Sequence, residues 1–216
     1  MLSELNTSDI EPAAGTLFVV SSPSGGGKGT LIQRVLKVIP DLSYSVSYTT
    51  RTPRPGEVNG REYCFVTRQE FEEMIAAGDF LESAIVHGNL YGTSRKQVLR
   101  DTSAGRDIIL EVDVQGAASV RELMLDSVSI FILPPSFEVL RERLLARGTD
   151  SPEELGVRLR NAPAELKAYS TFDYVIINDD AARAASQLAA IVSAERARLE
   201  RQERVVRDVV RSFEAL

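Results

Sequence analysis

The run TLFVVSSPSGGGKGTLIQRVLKVIP, residues 16–40, constrains this chain more than any other. Its first six residues are a nearly continuous apolar stretch, the pattern of a strand buried on both faces of a parallel sheet. Leu31, Val35, Leu36 and Ile39 then recur at helical spacing, and Pro40 predicts where that helix stops. Between them, SPSGGGKGT (22–30) meets the phosphate-binding pattern G-x-x-x-x-G-K-[ST] in one register only, anchored on Gly27 and Lys28. In that register Ser22 replaces the first glycine, and Gly29 replaces the hydroxyl that such loops place on magnesium. Gly25, Gly26 and Gly27 let backbone N–H groups converge on phosphate oxygens without side-chain obstruction. The helix behind them aims the positive end of its dipole at the same anion, and Lys28 reaches the β/γ phosphates. Strand, glycine loop and helix together predict a nucleotide phosphate cradle formed by Ser22, Pro23, Ser24, Gly25, Gly26, Gly27, Lys28, Gly29 and Thr30. A glycine-rich turn that merely contains a lysine is the bland alternative.

Further apolar runs alternate with helical patterns. IILEVDV (108–114), SIFILPP (129–135) and YVIIND (174–179) read as strands. QGAASVRELM, FEVLRERLLARG and a long tail over 181–213 read as helices. In SPEELGVRLRNAPAELKAYS, Ser151 is an N-cap, Pro152 takes the first helical position, and Pro163 predicts a kink or break. This α/β alternation specifies a mostly parallel sheet covered by helices on both faces. Residues 48–93 interrupt it and read as an inserted subdomain, with a short helix at QEFEEMIAAG, a strand at FLESAIV and a turn at HGNLYGT. Residues 1–14 read as a loose lead-in, and His87 as a surface residue of the turn.

Composition excludes several classes of function. Among 216 residues, a net charge of −6 argues against broad adhesion to nucleic acid or anionic membrane. One cysteine, Cys64, and one histidine leave no internal disulfide and no usual zinc constellation. The N-terminus lacks the pattern of a secretory signal, and no apolar run approaches the length of a membrane helix. The expectation is a cytoplasmic protein.

SVSYTTRTPRPGEVNGREY (45–63), the later GNLYGT, ILEVDVQG, RERLLARGT and the closing VIINDD together resemble the guanylate kinase family in order and spacing, over most of residues 16–180. The resemblance implies transfer of the γ-phosphoryl group of ATP to GMP, and to dGMP, with Mg2+ accompanying ATP. It implies a core of 15–47, 94–143 and 163–216, a GMP-binding insertion at 48–93 and a mobile lid at 144–162. It places Arg51, Arg54, Tyr63 and Tyr91 on the GMP phosphate, and Ser47, Glu82, Thr93 and Asp113 on guanine. Guanine presents donors at N1 and N2, so a carboxylate complements it, whereas adenine N1 is an acceptor that a carboxylate repels. The resemblance further assigns Lys28, Arg51, Arg143, Arg147 and Arg158 to the transferring phosphoryl group, and Asn178 and Asp179 to the adenine of ATP. A helix N-cap is an equally good structural role for the last two. Glu111 and Asp113 alternate along an apolar strand and would orient magnesium-bound water.

Gly29 departs from the family, and K-G-T is instead similar to the loop of adenylate kinase, where the metal needs no direct hydroxyl. Two other functions stay open: a kinase for another acceptor such as AMP, and a non-catalytic interaction module on the same fold. The partners expected are ATP and GMP, with the chain a monomer or a homo-oligomer.

Overall fold

A computed structural model describes residues 14–86, 88–148 and 151–214. The lead-in up to residue 13, His87 and two residues of the expected lid lie outside the described residues. β1 (Leu17–Ser21) is the middle strand of a five-stranded parallel sheet. It lies between β7 (Asp107–Glu111) and β8 (Val128–Leu133), with β2 (Leu42–Ser45) and β9 (Tyr174–Ile177) at the edges. The register pairs Val19 with Leu110 on one side and Val20 with Ile130 on the other. Alternate residues of β1 face opposite ways and are all buried. Phe18 and Val20 pack under α1 (Lys28–Val35) and α7 (Ala181–Arg196), whereas Leu17 and Val19 pack under α3 (Arg95–Ser103) and α4 (Val114–Leu123). The sheet is thus covered on both faces, as the alternation of apolar runs requires.

A second, four-stranded sheet orders β4 (Cys64–Phe65), β3 (Tyr48–Thr49), β6 (Asn89–Ser94) and β5 (Phe80–Val86). Its small core joins Phe80 and Leu90 to Phe71 of α2 (Arg68–Ala76). α5 (Phe137–Arg147) and α6 (Pro152–Leu166) pair through Leu140, Leu144 and Ala162, and α8 (Leu199–Glu214) closes the described chain.

Several elements differ from the sequence reading. GNLYGT is not a turn but most of β6, paired antiparallel with β5. Its glycine has a packing role: a Cβ on Gly92 would stand 2.8–2.9 Å from the rings of Phe80 and Phe71, which stack 4.4 Å apart above it. The strand expected over 108–114 ends at Glu111, because the Asp113 carboxylate accepts the Gly116 N–H at 2.8 Å and caps α4. α1 ends at Val35 rather than running to Ile39; Val38 and Ile39 turn their N–H groups back onto the Val35 carbonyl, just before a proline that disfavours helix at Ile39. α6 continues through Pro163, so the helix is not broken there. The Ser151 cap stands as expected, a capping box with Glu154 ahead of Pro152. The tail is two helices, α7 and α8, rather than one.

One buried carboxylate holds the start of the chain's core to its end. Asp107, 2% exposed, takes Arg196 Nε at 2.6 Å, Arg201 Nη1 at 2.7 Å and the Thr16 N–H at 2.8 Å. Removing one partner of a buried ionic cluster strands the others. Asp107→Ala is therefore expected to destabilise the fold by about 3 kcal/mol, read as a lowered urea midpoint with the slope unchanged.

Candidate active site

A cleft of about 660 Å³ opens where β1, β7 and β9 end, at the carboxyl side of the parallel sheet. Its floor is the loop after β1. Gly25 and Gly27 hold φ of 88° and 90°, which L side chains rarely adopt. A Cβ at Gly27 would stand 2.5 Å from Asn178 Nδ2, and one at Gly26 would stand 2.7 Å from Ser22 Oγ. Ser22 is therefore admitted at the first position because Gly26 leaves room for its side chain, whose hydroxyl donates to the Pro23 carbonyl at 2.9 Å. Gly27 caps α1 with no side-chain hydrogen bond, which leaves the helix N-terminus to an anion.

Cations gather above this loop. Arg143 of α5 donates through Nη2 to the Asn178 carbonyl at 2.8 Å. Its Nη1 is buried without a hydrogen-bond partner, 3.9 Å from the place of a Gly27 Cβ. Such an orphan donor costs free energy until an acceptor arrives. Asn178, 3% exposed, donates from Nδ2 to the Gly26 carbonyl at 2.9 Å. From α6, Arg158 donates to Ser24 Oγ, and Glu165 accepts the Ser24 N–H at 3.1 Å. Lys28, Gly29 and Thr30 complete this end.

The opposite wall comes from the second sheet and the segment between β3 and β4. Arg51 Nη2 donates to both carboxylate oxygens of Glu57 at 2.8 and 2.9 Å while Nη1 donates to the Thr52 carbonyl at 2.8 Å, and the guanidinium lies 5.4 Å over the Tyr63 ring. Burial opposes the charge of Glu57, but the Arg51 and Arg54 donors outweigh it and hold its carboxyl below the usual range. Tyr63 and Tyr91 meet edge to face at 5.8 Å. Burial, and then the charge of Glu111, push the Tyr63 phenol well above its ordinary value. Ser47, Arg54 and Asp113 also line the cleft.

Glu82 is 8% exposed and accepts the Thr93 hydroxyl at 2.6 Å. Burial raises its carboxyl to about 7; the Thr93 hydrogen bond opposes that rise, and the charge of Asp113 adds to it. Gly116 makes the arrangement possible, since a Cβ there would lie 2.9 Å from Glu82 Oε2 and 3.3 Å from Asp113 Oδ1. Across the cleft, Glu111 accepts the Tyr44 hydroxyl at 3.4 Å and faces Gly29, whose Cβ would stand 3.4 Å from Glu111 Oε2.

Most of the residues singled out from sequence thus share one cavity. Pro23, Thr93 and Asp179 do not line it. Pro23 serves the loop through its carbonyl, Thr93 stands fully buried behind Glu82, and Asp179 turns away to pair with Arg183. The side chain of Arg147 lies outside the described residues. Sequence reasoning missed Ala84 and Val86, although their period-two spacing from Glu82 along β5 marks them for the same face. It also missed Leu144, Glu165 and the pairing of Glu57 with Arg51, none of which carries a local signal. Among the described residues no three acidic, histidine or cysteine side chains cluster as a metal site, and no helix is long and apolar enough to cross a membrane. Thr93→Val removes the bond that holds the Glu82 carboxyl down, so carbon-detected NMR is expected to find Glu82 titrating above about 7.

A guanylate kinase family model matches residues 14–195. The guanylate kinase of Symbiobacterium thermophilum is 53% identical over 184 residues, covering 85% of this chain and 87% of the relative. That of Escherichia coli is 50% identical over 192 residues, covering 88% and 93%. The crystal structure of guanylate kinase from Anaplasma phagocytophilum shares the fold with a TM-score of 0.74 at 36% identity, covering 88% of this chain and 90% of that one.

Proposed function

The chain belongs to the guanylate kinase family, and from its cleft we infer that it passes the γ-phosphoryl group of ATP to GMP, releasing ADP and GDP. One observation carries this reading: a glycine phosphate loop and a buried carboxylate with an arginine–tyrosine cluster face each other across a single cavity. ATP lays its phosphates along Gly25–Thr30, on the open N-terminus of α1, with Lys28 at the β and γ oxygens. Asn178 steadies the loop by its bond to Gly26, and Asp179 is left to its structural role beside Arg183. GMP enters from the second sheet. Its guanine donates N1–H and N2–H to Glu82 with Ser47 and Asp113 alongside, and its phosphate meets Arg51, Arg54, Tyr63 and Tyr91. Residues 48–93 act as the GMP-binding unit and 144–162 as the lid.

A phosphate oxygen of GMP attacks the γ-phosphorus in line, and the bond from that phosphorus to the β-bridging oxygen breaks. Charge spreads over the transferring oxygens, and catalysis is positioning plus fixed cations. The buried, unpartnered Nη1 of Arg143 is such a cation already in place. Arg158 arrives from α6, and Arg147 is proposed for the same cluster. Closing α6 over the loop excludes water that would otherwise take the phosphoryl group.

The hard carboxylate oxygens of Glu111, which faces a position with no side chain at Gly29, and of Asp113, which lines the same cleft, fit Mg2+ held through water. When bound, the ion neutralises charge between the β and γ phosphates. We place the enzyme in the cytoplasm, acting on GMP and dGMP in purine nucleotide metabolism, with no nucleic-acid or membrane partner.

A coupled ADP-release assay with ATP against GMP, dGMP, AMP, CMP and UMP tests the reading. ADP release is expected with GMP and dGMP alone; equal rates with AMP would refute the base reader, and no GMP-dependent release would favour an interaction module. Glu82 must be ionised to accept from guanine, yet in the empty cleft it holds its proton up to about 7. Consequently kcat/KM for GMP is expected to fall roughly tenfold per pH unit below that value, while kcat/KM for ATP at saturating GMP does not follow it. A Cβ at Gly29 makes only ordinary contact, so Gly29→Ser is expected to keep turnover within about tenfold, roughly 1.4 kcal/mol. A larger change would refute a water-held metal.

A further inference from the structure

A carboxylate on the wall of a phosphate cradle is a liability, because it repels the anion the cradle is built for. Glu165 of α6 is such a group: it lines the cleft, half-buried, beside the phosphate loop. Its Oε2 accepts the Ser24 N–H at 3.1 Å, so it holds the backbone of the loop itself. Ser24 is gripped a second time from the same helix, by Arg158, whose Nη1 donates to Ser24 Oγ. Arg158 and Glu165 stand about two helical turns apart in sequence and so share one face of α6. The same side of the helix carries Leu155, Leu159 and Ala162, which pack with Leu140 and Leu144 of α5. Those two α5 leucines in turn lie where a Cβ at Gly25, the next residue of the loop, would stand.

Apolar and polar contacts divide the work here. The leucines and Ala162 set how closely α6 approaches α5, but hydrophobic contact is non-directional and leaves the helix free to slide. A hydrogen bond to one backbone N–H is directional and fixes where along its axis the helix rests. Glu165 therefore sets the seat of α6 on the loop, and with it the reach of Arg158, about 10 Å further along the axis. Given the phosphoryl transfer proposed above, on which this rests, we propose that Glu165 is a positioning residue for that step. Its bond to Ser24 seats α6 on the phosphate loop and so aims Arg158 at the phosphoryl group in transit. Glu165 acts as a hydrogen-bond acceptor and through Arg158, not through its charge. A glutamine in its place accepts the same N–H without repelling phosphate.

Steady-state kinetics of GMP-dependent ADP release by the full chain, with each substrate varied in turn, test this. Glu165→Ala is expected to lower kcat about tenfold, with KM for GMP, which binds the opposite wall, unchanged within about twofold. Glu165→Asp, a methylene too short to reach the Ser24 N–H, is expected to do the same, and the urea midpoint of each variant checks folding. Glu165→Gln is expected to keep kcat within about twofold of the unsubstituted chain, with KM for ATP no higher. Arg158→Ala lowers kcat by itself, and adding Glu165→Ala is expected to cost no more than about a further twofold, because nothing is left to position. One readout needs no turnover: amide exchange at Ser24, followed by NMR, is expected to quicken in Glu165→Ala and not in Glu165→Gln. Losses from Arg158→Ala and Glu165→Ala that simply multiply overturn the proposal, as does a Glu165→Gln chain as impaired as Glu165→Ala. Full kcat in Glu165→Ala and Glu165→Asp overturns it too. An unsubstituted chain with no GMP-dependent release would instead refute the kinase reading itself, and with it the role given to Arg158.

Discussion

The loop after β1 has no room for side chains, and much of the molecule is arranged around that fact. A Cβ at Gly25 would meet Leu140 and Leu144 of α5 at 2.9–3.0 Å; at Gly26 it would meet Ser22, and at Gly27 Asn178. Three separate elements therefore close on bare backbone: α5 from above, the end of β9 from the side, and the loop's own first residue. This explains why Ser22 is harmless where the phosphate-loop pattern has glycine. The space that a glycine would have left at 22 is supplied by Gly26, a position where the pattern allows anything. The loop has moved a glycine rather than lost one. Ser24 and Gly26 give their N–H groups to Glu165 and to the Pro23 carbonyl, and α1 begins at Gly27 with an open N-terminus.

The two walls of the cleft solve opposite electrostatic problems. Around the loop, positive groups wait for negative charge, and the orphaned Arg143 Nη1 records the cost of keeping one ready. On the facing wall a carboxylate waits for neutral donors. Glu82 sits where burial and Asp113 both disfavour its charge, and the Thr93 hydroxyl only partly offsets them. A poorly solvated carboxylate gains more from donors such as guanine N1–H and N2–H than a hydrated one does, because water no longer competes. In the proposed reading, the polarity of the cleft sets which end of GMP points at the phosphoryl donor.

Much of this architecture was legible in the sequence, and the failures share a cause. Strands β1, β7 and β8 are buried on both faces, so their composition alone marks them, whereas β9 at the sheet's edge is equally apolar but leaves Val175 and Ile177 exposed. β6 was misread because its glycine looks like a turn residue; Gly92 is there to admit stacked Phe71 and Phe80, a requirement set by residues far along the chain. Gly116 is of the same kind, vacating space for Glu82 of another sheet. Asp113 ends its strand because its carboxylate finds the Gly116 N–H, a local signal overlooked beneath the apolar run. The pairing of Glu57 with Arg51 and the position of Glu165 depend on tertiary approach, which spacing does not encode.

β7 links the two halves of the functional picture. Its last residue, Glu111, faces the phosphate loop, and its first, Asp107, anchors Arg196 and Arg201 at the root of α8. Four steps along a strand separate them by about 13 Å, so the two lie at opposite edges of the sheet. The cleft occupies the edge where strands end, and α8 is anchored at the edge where they begin. The buried Asp107 cluster fixes the direction in which α8 leaves the body, while contributing no atom to the chemistry. The anchor at one end of β7 and the cleft at the other thus share one rigid strand yet are chemically independent.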